Sequence, residues 1–76
     1  MTIVTIEFPS KYSRQTQDAL KDQGFIFNES YSIFAPDDET RVAQIRLPDD
    51  RAAAELVRLL KVPHVKIYHG SKTFSA

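Results

Sequence analysis

The sequence predicts an α+β domain in which a four-stranded antiparallel sheet carries two helices on one face. Three observations lead to this. The hydrophobic period switches between two and 3.6 residues along the chain. Pro9, Gly24, Pro36, Pro48, Pro63 and Gly70 fall at the switches and punctuate them. At 76 residues there is room for one domain only, and a chain of that size buries about 60% of its unfolded surface. Residues 1–76 therefore read as a single domain, with no linker, repeat or low-complexity stretch.

In residues 2–8, Val4, Ile6 and Phe8 alternate with Thr5 and Glu7, the pattern of a half-buried strand, and Pro9 ends it. Ser10 or Ser13 is placed to cap a helix through its hydroxyl, with Tyr12, Thr16, Ala19 and Leu20 on one face. Gly24 is the expected left-handed residue beyond that helix, and Phe25 is positioned for the accompanying hydrophobic contact. Residues 25–35 are rich in aromatic and β-branched side chains. Phe25, Phe27, Tyr31 and Ile33 share one parity, which Glu29 interrupts. The expectation is one long bent strand, with two short strands as the alternative. Pro36-Asp37-Asp38-Glu39 reads as a turn. Ala43, Ile45 and Leu47 then form the inward set of a strand over 40–47.

Asp49 or Asp50 caps a second helix over 50–61, where a negative charge also suits the positive helix end. Its apolar stripe is Ala53, Leu56, Val57 and Leu60. Pro63 precedes a last strand from His64 to His69, with Val65 and Ile67 inward and Lys66 and Tyr68 outward. The polar tail 71–76 is expected to fray. Strand, helix, strand, strand, helix, strand in so short a chain gives a ferredoxin-like βαββαβ arrangement, sheet order 4-1-3-2.

Composition excludes whole classes of chemistry. There is no cysteine, so disulfides, thiolate-bound zinc, iron–sulfur clusters and thiol nucleophiles are out. His64 and His69 lie five positions apart, so on a regular strand they point to opposite faces and cannot chelate one ion together. Asp37-Asp38-Glu39 lacks the spacing of a calcium loop, and no nucleophile elbow or glycine-rich phosphate loop is present among only two glycines. The expectation is a chain without catalysis, cofactor, metal or small-molecule substrate. No apolar run spans a bilayer and Met1–Thr5 shows no basic leader region, so the expected location is cytoplasmic and away from membranes.

Net charge is zero, but its distribution is uneven. Residues 28–50 hold two positive and six negative charges; residues 51–76 hold five positive and one negative. Such a dipolar surface orients a partner or a second copy. The open sheet face supplies the rest of the functional expectation. Fixing the inward set sends Ile3, Val42, Arg46, Lys66 and Tyr68 outward, and Ile26 and Phe34 follow on the second strand. The apolar members are expected to merge into one patch that docks a protein, and the edge strands offer free backbone groups. The primary expectation is thus a small protein-interaction module, regulatory or inhibitory, or a homodimer. The alternative is a single-stranded nucleic-acid binder using Arg46, Arg58, Lys66 and Tyr68. Against it, the outward residues of the two central strands include no aromatic for base stacking, and Glu7 repels phosphate.

Overall fold

Alternation of Val4, Ile6 and Phe8, none more than 1% exposed, makes β1 (Thr2–Pro9) the spine of the sheet. The computed structural model describes residues 2–75. β1 pairs antiparallel along its whole length with β3 (Thr40–Leu47), from Thr2 opposite Leu47 to Pro9 opposite Thr40. On its other side it pairs with β4 (Lys66–His69), Ile6 lying opposite Ile67. A short β2 (Ser32–Phe34) flanks β3, and β5 (Lys72–Ser75) flanks β4. The sheet thus has five strands in the order β2-β3-β1-β4-β5.

This corrects the four-stranded expectation at its C-terminal end. The tail does not fray as far as Ser75. Gly70, at φ +60°, closes a two-residue hairpin loop between His69 and Lys72, the backbone sign such tight loops require. Phe74 then turns inward and packs against the core, which anchors β5. β4 also begins later than expected. His64 is not on a strand; it sits in the preceding loop at φ +63°, so the parity argument about the two histidines does not apply.

The other correction concerns residues 25–35, which form neither one bent strand nor two strands. The Ile26 carbonyl accepts from the amides of Glu29 (3.1 Å) and Ser30 (2.8 Å), and the Ile26 amide donates to the Ser30 hydroxyl. Asn28 adopts φ +66°. Turn chemistry at Asn28-Glu29-Ser30 outweighs the β propensity of its neighbours. Only Ser32–Phe34 joins the sheet, and Phe27 is left 44% exposed with its ring tilted against Tyr31, centroids 5.9 Å apart.

The helices cover one face. A 3-10 turn (Ser10–Tyr12) leads directly into α1 (Ser13–Asp22), so neither serine caps it as expected. The Ser10 hydroxyl instead donates to the Asp38 carbonyl. Thr16 and Leu20 are fully buried, and the Thr16 hydroxyl is satisfied by donating to the Tyr12 carbonyl at 2.8 Å. α1 ends as a Schellman motif: the Phe25 amide donates to Leu20 and the Gly24 amide to Lys21, with Gly24 at φ +91°. α2 (Asp50–Leu60) is capped by Asp49, whose carboxylate accepts from the Ala52 amide at 2.9 Å. Ala53, Leu56, Val57 and Leu60 are buried and share one cluster with the inward residues of β1, β3 and β4.

Candidate functional site

Strand register decides what the open face presents, because residues opposite one another on neighbouring strands form rungs across it. One rung runs Phe34, Val42, Glu7, Lys66, Ser75. The next runs Ser32, Gln44, Thr5, Tyr68, Thr73. Beyond it, Ile3 stands opposite Arg46. Phe34 and Val42 are therefore brought together, but Ile3 lies two rungs from Val42, roughly 13 Å along the strands, with the polar Thr5–Gln44 rung between. Tyr68 belongs to that polar rung, and its hydroxyl donates to Glu7 at 3.2 Å. Partial desolvation and that carboxylate raise the Tyr68 phenol above its usual range. Ile26 sits in the 26–30 turn, off the sheet face, at 40% exposure. The expected single apolar patch is thus divided in two: a Phe34–Val42 pair at the β2 side and an isolated Ile3.

The nucleic-acid set is dispersed. Arg46 and Lys66 lie at opposite ends of the face, two rungs apart, and Lys66 stands beside Glu7. Arg58 is on α2, the element that packs on the opposite side of the sheet.

The most distinctive edge is on the β2 side. β3 is paired along all eight residues with β1, yet β2 covers only Val42, Ala43 and Gln44. Beyond Gln44 the chain that precedes β2 turns away at the Asn28–Ser30 bend. That opens a groove of about 700 Å³, walled by Phe25, Glu29, Tyr31, Phe34 and Arg46 and floored by Ile45. Phe27, which sequence parity placed inside, is among the exposed apolar groups of this side. No pattern in the sequence announces the groove, because it arises from the turn that shortened β2. Leu59 on α2 is a second exposed apolar side chain that the helical stripe did not single out, at 43%.

Two polar clusters lie away from this groove. At the N-terminus of α2, Asp50 accepts from His69 Nδ1 at 2.6 Å and from the Lys72 ammonium. Asp50 can only accept, so the His69 proton resides on Nδ1 in this contact. The pairing ties the β4–β5 hairpin to α2 across 19 and 22 residues of sequence, separations that no local motif reveals. It resembles the orienting half of a general-base dyad, but no described hydrogen bond engages His69 Nε2, and the carboxylate is shared with Lys72. Among the described residues no three His, Asp or Glu side chains gather to hold a metal ion. The second cluster is the acidic turn. Asp37 accepts from the amides of Glu39 and Thr40, both at 2.8 Å, which holds its carboxyl below the usual carboxylate range. No helix among the described residues is long and apolar enough to cross a membrane.

The Lys72 ammonium first, and the His69 ring second, also hold the Asp50 carboxyl low. A carboxylate lowered in the folded state adds stability that is present above its unfolded pKa and lost as pH falls through its folded one. The β5 amides are therefore expected to lose hydrogen-exchange protection below about pH 4, ahead of the β1 amides. Asp50→Asn should show that loss already at neutral pH. Protection of β5 equal to that of β1 in both proteins would show that the cluster does not anchor the hairpin.

The chain matches no protein-family model, no curated protein sequence and no solved structure.

Proposed function

We propose that the chain is a small non-catalytic protein-interaction module, of regulatory or inhibitory kind, that receives an extended segment of a protein partner along the β2 side of its sheet. The observation that carries this reading is the incomplete cover of β3. Its edge beyond Gln44 runs uncovered beside the groove, with Phe34 56% exposed at the rim. An added strand would gain backbone hydrogen bonds from such an edge, and the groove would take one of its side chains. Burying Phe34 and its neighbour Val42 would supply apolar area of the kind found at interface centres. Localisation in the cytoplasm belongs to the same proposal.

The test is a photo-crosslinking phenylalanine analogue placed at position 34, with the same analogue at Leu59 as control, in extract from the source cells. A protein adduct at 34 but not at 59, retained at about 500 mM salt, is the expected result, since apolar burial is little screened. Phe34→Asp should weaken binding of the recovered partner at least about tenfold without unfolding the chain, because exposed positions tolerate substitution within about 0.5 kcal/mol. Salt-sensitive recovery of nucleic acid instead, with no protein adduct at 34, would replace this reading with the nucleic-acid one.

A further inference from the structure

We propose that the end of the sheet where β1 finishes, at Pro9, is a self-complementary contact through which two copies of this chain associate. The two charged segments of the sequence come together in space there. On the β3 side of β1 stands the acidic turn. It is fastened by the Ser10 amide donating to the Glu39 carbonyl at 2.7 Å and by the Ser10 hydroxyl donating to Asp38. On the β4 side stand Lys66, opposite Glu7, and His64, in the loop that begins at Lys61. Between the two sides lies an open cleft of about 650 Å³, lined by Glu39 and Thr40 on one side, His64 and Lys66 on the other, and Lys11 with Ser10 between.

Each side of this end carries one counter-charge, Arg41 in the acidic turn and Glu7 beside Lys66. Arg41 donates to the carbonyls of Asp37 and Thr40, and Glu7 accepts from Tyr68. Asp37 is committed to its own turn. By contrast, no ion pair among the described residues engages Asp38, Glu39, Lys61 or Lys66. One end thus carries a net acidic side, with Asp37, Asp38 and Glu39 against Arg41, and a net basic side, with Lys61 and Lys66 against Glu7, separated by the width of β1. A two-fold axis along the sheet normal sets the acidic side of each copy on the basic side of the other. The same contact is then made twice, as closed dimeric symmetry requires. A two-fold axis across the strands would instead set like charges together, which charge complementarity forbids. The molecule measures 29 × 25 × 20 Å, so one end offers only a few hundred Å² per partner, roughly the size of a weak, reversible contact. The contact is separate from the β2-side groove and does not depend on its occupant.

Sedimentation velocity on the full chain at ~1 mM is expected to show dimer at about 20 mM salt and at least tenfold weaker association at about 500 mM. Asp38→Lys/Glu39→Lys and Lys61→Glu/Lys66→Glu should each remain monomeric alone, and an equal mixture should restore a heterodimer. Circular dichroism checks that each variant folds. Should either reversal unfold the chain, Asp38→Asn and Lys66→Gln replace them, and each should weaken the dimer. A monomeric wild type at low salt, reversals that leave the mass unchanged, or a mixture that stays monomeric would overturn the proposal.

Discussion

Phe8→Ala is expected to cost roughly 3–5 kcal/mol of unfolding free energy, the range for truncating a buried phenylalanine. A chain of this length holds only about 4–11 kcal/mol in total, so the variant should be partly unfolded at room temperature. Phe8 is the largest of the fully buried side chains, 1% exposed, on the central strand of the five. Its neighbours cannot close over the void without moving the register of β1 against β3, which pairs at every residue from 2 to 9. Urea unfolding followed by circular dichroism should show the midpoint falling while the slope is retained. Phe8→Leu should recover more than half of the loss, since it refills most of the volume. A midpoint unchanged in Phe8→Ala would contradict the burial of this side chain.

The same residue explains why most of the fold was legible from sequence. The inward set Val4, Ile6, Phe8, Ala43, Ile45, Leu47, Val65 and Ile67 is buried throughout. A one-residue slip would instead bury Glu7, Arg46 and Lys66, each a charge that costs several kcal/mol or more to desolvate unpaired. Period-two alternation and the caps at Gly24 and Asp49 are local signals with no competing signal beside them, and they are realised in the fold. The segment 25–35 failed because two local signals competed there. Aromatic and β-branched side chains favoured a strand, whereas Asn28-Glu29-Ser30 favoured a turn whose hydrogen bonds close within five residues. The tail failed for the opposite reason. Lys72–Ser75 is polar and short, and its pairing depends on Phe74 reaching the core and on Lys72 meeting Asp50, contacts that local pattern does not encode.

Which face of the sheet an outward residue takes was legible in the sequence; how the outward residues are arranged on that face was not. Parity correctly sends Ile3, Val42, Arg46 and Lys66 to the open face, where they are exposed or half-buried. Whether outward residues touch depends on inter-strand register, and parity alone leaves register free by steps of two. Placing Val42 opposite Glu7 and Ile3 opposite Arg46 separates the apolar groups that sequence reasoning merged. The groove beside β3 was hidden for a further reason. It is a consequence of where β2 stops, and strand ends are set by the turn that precedes them.

Leu56→Ala is expected to cost about 2–3 kcal/mol, the lower part of the range for a buried leucine, while Leu59→Ala should stay within about 0.5 kcal/mol of wild type. The two leucines are three residues apart on α2 and differ by about 60° around its axis. Leu56 is 4% exposed within the core cluster, whereas Leu59 is 43% exposed. The magnitude for Leu56 is smaller than for Phe8 because it borders a shallow surface groove between Phe25, Leu47 and Ala52. Water and the half-buried Phe25 ring can move into the space that truncation leaves, so less of the cavity persists. Alanine also restores a little helix propensity at both positions, a few tenths of a kcal/mol at most, which does not alter their order. Thermal unfolding of the two variants side by side reads this directly. Equal shifts would mean that α2 is rotated about its axis from the phase that buries Ala53, Leu56, Val57 and Leu60. A larger shift for Leu59 would mean that its exposed side chain is already covered in solution, by another molecule of the chain or by a partner.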